Sequence, residues 1–178
     1  MGEVAELLHA ELLEQASRLA GDEAHRASQA DLQRAVSSSY YALFHLLVTE
    51  STGAVVGMHE SSGSLRCLIG RAYGHSEMVR VSKAFSEGER GLPATFRALA
   101  GAASVSDDLT FAADTLVTLQ AERQRADYDL GARFTREQVL SIVSRAQLAV
   151  QAWERAKEEP AARLFLIALL VWNRLPKE

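Results

Sequence analysis

The chain has 178 residues and 48% hydrophobic side chains, enough apolar surface for one domain of ordinary size without staples or metals, which excludes a disordered tail protein. Lys and Arg number 19 against 23 Asp and Glu, for a formal net charge of −4. The surface as a whole is therefore no cationic glove for nucleic acid, and any RNA or DNA site must be local. The single cysteine, Cys67, excludes a disulfide framework and a multi-cysteine zinc site and fits a reducing, cytoplasmic compartment.

The amino end, MGEVAELLHAELLEQ, carries acids where an export signal carries basic residues and an unbroken apolar stretch, so it reads as a helix. That first helix runs from Glu3 to Leu19, with Gly21 as its stop. A second begins at Ser28, whose Ser-x-x-Asp spacing to Asp31 suits a cap, and continues to about Glu50 before Gly53. Its centre, Tyr40 to Val48, is apolar all round, which makes it the expected central helix. Residues 51–63, with Gly53, Gly57 and Gly63, read as a loop. A short helix from Leu65 to Tyr73 and a segment ending near Phe85 follow. Ser86 to Pro93 reads as a second loop, and the pattern after it leaves helix or connection open. Ser106 opens the next helix, to Tyr128; Thr135 and Gln138 make a capping box for another, to about Glu158; Pro160 starts a last one, to Trp172.

That last helix contains LFLIALLVW, Leu164 to Trp172. Its helical length of about 13 Å falls far short of the roughly 30 Å of a bilayer core, so a buried terminal helix is expected and no membrane association. Strand patterns and internal repeats are absent, and no linker divides the chain. The expected architecture is all-α, one domain over residues 1–178.

Two constellations carry polar residues into apolar surroundings. On the central helix, Arg34, Ser38, Tyr41 and His45 lie within about 60° of one line. Such a stripe lines a pocket, or it consists of packing serines and a satisfied core histidine. On the helix opened by Ser106, the apolar stripe Leu109, Ala112, Leu116, Leu119, Ala126 and Leu130 is completed by Arg123. A guanidinium there calls for a carboxylate, and Asp127, four residues on, can supply it. Arg125 with Asp129 forms a second pair on the outside. No phosphate loop, His-Glu-x-x-His or Cys/His cluster points to a metal or cofactor, so none is expected. Cys67 is expected in the core, and His9, His25, His59 and His75 at the surface. Trp153 and Trp172 are expected to pack on each other or on a partner.

SSSYYALFH, Ser37 to His45, followed downstream by RQRADYD, Arg123 to Asp129, resembles the HEPN superfamily, in particular small bacterial members with an SxxYYAxFH-like helix and an RxxADY-like later helix. The resemblance covers two helices and their order, and leaves the loops and the final apolar helix outside. It implies a HEPN-like helical bundle with an additional C-terminal apolar helix. It also implies a homodimer that acts as a metal-independent ribonuclease or as a partner of a nucleotidyltransferase or antitoxin protein in a toxin–antitoxin or defence system.

The ribonuclease members use an Arg-x(4 to 6)-His motif, in which Arg and His of two protomers meet in one cleft. The arginine holds phosphate and the histidine moves the proton. Here Arg123 occupies the arginine position, but Tyr128 stands where the histidine belongs, and a phenol titrating near pH 10 is a poor proton shuttle at neutral pH. Arg18 with His25 matches the spacing only across Gly21, and Arg71 with His75 misses it. His45 is the better imidazole. The candidate catalytic residues are accordingly Arg123, His45 and Tyr128, with Arg34, Ser38, Tyr41 and Asp127 binding RNA or nucleotide or forming a polar network. Tyr128 in place of histidine favours a non-catalytic binding module over an endoribonuclease. The dimer surface is expected at Tyr128 or on the terminal apolar helix.

Overall fold

The computed structural model describes residues 2–21, 27–100 and 104–174. Among them are eight α-helices and no strand: α1 Gly2–Leu19, α2 Gln29–Val56, α3 Gly63–Gly70, α4 His75–Ser86, α5 Ala94–Ala100, α6 Asp107–Tyr128, α7 Arg136–Ala156 and α8 Pro160–Val171. The all-helical bundle is as expected, and so are the caps. Ser28 and Asp31 close a reciprocal capping box on α2, and Thr135 and Gln138 close one on α7. The Ser106 side chain accepts from the Leu109 N–H at the start of α6, and Pro160 opens α8. Each satisfies or avoids one of the orphan N–H groups that a helix start exposes.

Helix α2 is the central element. Its 28 residues span about 42 Å, and it touches α1, α3, α6, α7 and α8. It is longer than its glycines suggest, because it passes straight through Gly53 and ends only at Gly57, where the backbone turns with φ +80°. The expected loop over 51–63 is thereby corrected to a short turn at 57–59 followed by a 3-10 turn. Burial outweighs the roughly 1 kcal/mol that an interior glycine costs: Ser51 is fully buried, with its hydroxyl 2.6 Å from both the Leu166 carbonyl oxygen and the Tyr73 hydroxyl. Helix α3 stops at Gly70 rather than Tyr73, and α7 at Ala156 rather than Glu158. The second expected loop contains a 3-10 turn, Gly88–Gly91, and α5 follows it. Gly91 is required there, since a Cβ would lie 2.1 Å from the Ala84 carbonyl oxygen.

Apolar side chains form two clusters. The larger gathers Tyr40, Leu43, Leu47, Phe85, Leu116, Trp153 and Phe165; the smaller, at the other end of α2, gathers Leu32, Val36, Ala126, Phe134 and Val143. Helix α8 belongs to the first, burying Phe165, Leu166 and Leu169 inside the chain. No helix among the described residues is long and apolar enough to cross a membrane. The tryptophans find separate partners: Trp153 packs on Phe165 at 6.2 Å and Trp172 on Phe96 at 5.0 Å between ring centres. Cys67, expected in the core, is exposed on α3, because the residue that α3 turns inward is Arg66.

Leu130, expected to close the α6 stripe, is 98% exposed. The helix ends at Tyr128, and Asp129 takes an extended conformation as its cap. The same ending removes the expected Arg125–Asp129 pair. Arg125 reaches Glu122 instead, at 3.3 Å, and lies over the Phe134 ring, while Asp129 accepts from the Gly131 N–H.

Candidate functional site

Between the two apolar clusters, α2 and α6 meet through polar side chains. Arg123 lies on α6 between Leu119 of the larger cluster and Ala126 of the smaller. Its side chain is 12% exposed. Nη2 donates to the Tyr41 hydroxyl at 2.9 Å and, at 3.5 Å, toward the Tyr128 hydroxyl. Nε is 2.6 Å from Asp127 Oδ2, so the expected pair forms as a close ion pair. Asp127 in turn accepts from the Ser37 hydroxyl on α2, which ties the two helices across the seam.

Three rings surround the guanidinium. Its carbon lies 5.4 Å from the Tyr41 ring centre, 5.5 Å from Tyr128 and 5.9 Å from Tyr40, within cation–π range of all three. Burial works against the charge of Arg123, but Tyr41, Asp127 and Tyr128 outweigh it and raise its pKa, so the cation is permanent. Nη1 makes no hydrogen bond to the described residues.

Among the described histidines the imidazole that senses this charge is His75, corrected from the surface position expected for it. It opens α4 after Gly74 and is half-buried. Its Nδ1 is 2.6 Å from the Tyr40 hydroxyl, and its ring lies 4.6 Å from Phe44. Burial, and then the charge of Arg123, lower its pKa from the ordinary 6.5, so the ring is neutral at pH 7. Burial raises the Tyr40 phenol far above its ordinary 10 against the opposite pull of Arg123, which keeps the phenol protonated. His45 lies one turn beyond Tyr41, packed on the Tyr41 and Phe44 rings at 6.1 and 5.4 Å. Its pKa is lowered by burial and by His75. Its ring contacts are with Tyr41 and Phe44, and the hydrogen bonds of Arg123 run to tyrosines instead.

A groove of about 400 Å³ opens beside the pair, lined by Arg34, Ser38 and Tyr41 of α2, Gln15 of α1 and Asp127 of α6 among others. Ser38 donates to Gln15 Oε1 at 3.1 Å. Arg34 stands exposed at the edge, without an ion pair among the described residues. The structure thus brings together Arg34, Ser38, Tyr41 and Asp127 in one groove, and Arg123 joins it through its contacts with Tyr41 and Asp127 and links it to Tyr128. His45 lies further along. Ser37, Tyr40 and His75 join the site without having been singled out in the sequence. Ser37 was legible as the residue one turn before Tyr41 on the same helical face; His75 had no such signal, because a different helix delivers it. His25 lies outside the described residues.

No three His, Cys, Asp or Glu side chains among the described residues converge as metal ligands. What the site offers is a fixed cation, a second one at the groove mouth and a neutral imidazole on a platform of tyrosines. Such a set can grip a phosphate and stack a base. Comparison with protein-family models, curated proteins and solved structures finds no match.

Proposed function

We propose that the chain is a HEPN-like binding module that holds phosphate groups of RNA or a nucleotide at Arg123 and Arg34 without cleaving them, and that it works as a homodimer. The observation that carries this reading is the fixed guanidinium of Arg123, ringed by three tyrosines, whose Nη1 makes no hydrogen bond to the described residues. Tyr128 at the place of the motif histidine supports binding over chemistry. Tyr128 and Leu130, 70% and 98% exposed beside the site, support an interface there, whereas most of the apolar surface of α8 is spent inside the chain. The HEPN resemblance adds a nucleotidyltransferase or antitoxin protein as the partner class and a toxin–antitoxin or defence system as the setting.

The test is RNA binding followed by fluorescence anisotropy in chelator, with the same mixtures run on a gel. Wild type binds and leaves the RNA intact, and Arg34→Gln weakens binding alike across sequences and lowers the salt slope by about 1. Binding indifferent to Arg34→Gln and Arg123→Lys removes the proposal. Light scattering that finds a monomer at micromolar concentration removes the dimer.

One observation favours the second reading, a metal-independent endoribonuclease. His75 is a neutral imidazole within 6.1 Å of the Tyr41 ring centre, on the same tyrosines as Arg123. It can take a 2′-hydroxyl proton while the guanidinium meets the phosphate. Chelator-resistant cleavage lost in both Arg123→Lys and His75→Ala, each still folded, would establish it.

A further inference from the structure

A second guanidinium is buried far along α2 from this site. Arg66, on α3, is 8% exposed. Its Nη1 donates to the carbonyl oxygens of Gly57 and His59, at 3.0 and 2.9 Å, and no carboxylate of the described residues pairs with it within 4.0 Å. Two carbonyl dipoles only partly offset a full charge removed from water. Nε and Nη2 make no hydrogen bond to the described residues. Arg66 also lines a cavity of about 160 Å³ between α2 and α3, together with Thr49, Thr52 and Cys67.

We infer that this cavity is a binding site for a free tetrahedral oxyanion, inorganic phosphate or sulfate. The missing element is negative charge, and the lining supplies what an oxyanion needs: guanidinium N–H groups as paired donors and the Thr49 hydroxyl as a further one, while the Thr52 hydroxyl donates to the Thr49 carbonyl oxygen. At about 30 Å³ for each water, the volume holds roughly five waters, which suits an oxyanion and is too small to enclose a phosphate and a sugar together. The bound anion would tie α3 to α2 through Arg66, whose other bonds already hold the turn after Gly57. This inference is independent of the Arg123 site.

Cys67 at the cavity supplies the readout. The full chain is labelled at Cys67 with a chromogenic aryl disulfide near neutral pH, in chloride and in inorganic phosphate at matched ionic strength, and melting is followed in parallel. Phosphate is expected to slow labelling saturably, about tenfold at ten times its Kd if occupied sites do not react, and to raise Tm. Thr49→Val weakens both effects, Arg66→Met abolishes them, and ribose 5-phosphate produces neither. Equal labelling and melting in phosphate and chloride would overturn the site, as would a phosphate effect that survives Arg66→Met. Equal protection by ribose 5-phosphate would overturn the assignment to a free oxyanion. If Arg66→Met fails to fold, the phosphate titration of wild type beside Thr49→Val decides, and identical curves for the two count against the proposal.

Discussion

Arg66 and Arg123 are both removed from water, 8% exposed as a residue and 12% as a side chain, yet their surroundings differ in kind. Arg123 has a carboxylate at 2.6 Å and three aromatic faces; Arg66 has two carbonyl oxygens and a small cavity. A charge balanced inside the chain depends on its partner, so removing the partner is worse than removing the pair. A charge left unbalanced depends on what fills its cavity, and losing the charge itself is less harmful.

The sharpest way to break this contrast is Asp127→Ala. It strips the counter-charge from Arg123 and the acceptor from Ser37. The side chain of Asp127 is 29% exposed, which softens the loss, and about 2 to 3 kcal/mol is expected from denaturant titration. A loss under about 0.5 kcal/mol would mean that solvent already balances Arg123. Arg66→Met comes next, at about 1 to 2 kcal/mol in phosphate-free buffer, because two carbonyl bonds go but a desolvated charge goes with them. A larger loss than for Asp127→Ala would invert the comparison. Asp129→Ala is smaller still, under about 1 kcal/mol, since its carboxylate holds a turn N–H at the surface and no cation.

The smallest effects are in pH. His9, His45 and His75 all have pKa values lowered from 6.5, chiefly by burial. A depressed folded-state value means that the unfolded chain binds the proton more readily, so their contribution is complete above about pH 6.5 and fades as the pH falls below it. Urea midpoints are expected to drop from pH 7 to pH 5.5, and to drop less in His75→Gln. His75 also reports on the comparison directly. In an NMR titration its pKa rises in Arg123→Met, which removes a nearby positive charge, and stays put in Arg66→Met. An unmoved value in Arg123→Met would sever His75 from the site.

Much of the local structure was legible from the residues alone. Ser28, Ser106, Thr135 and Pro160 mark helix starts because capping joins side chains to N–H groups only two or three positions away, and the Arg123–Asp127 pair follows from four-residue spacing. Glycine was a poorer guide. Gly53 lies within α2 while Gly57 ends it, and the difference comes from Ser51 and Thr52, which are buried. Such contacts form only once α2 and α8 are packed.

From the residues alone follow an all-helical build, a central helix whose middle is apolar all round, and two polar segments on α2 and α6. These are properties of neighbours along the chain, set by helical periodicity and by capping. It is packing that joins Ser37 to Asp127, turns Arg66 rather than Cys67 inward, and places His75 rather than His45 under the influence of the charge of Arg123. Those choices depend on which helices meet and at what rotation. The polar contacts across the seam between the two apolar clusters join residues up to 90 positions apart, beyond the reach of any local pattern.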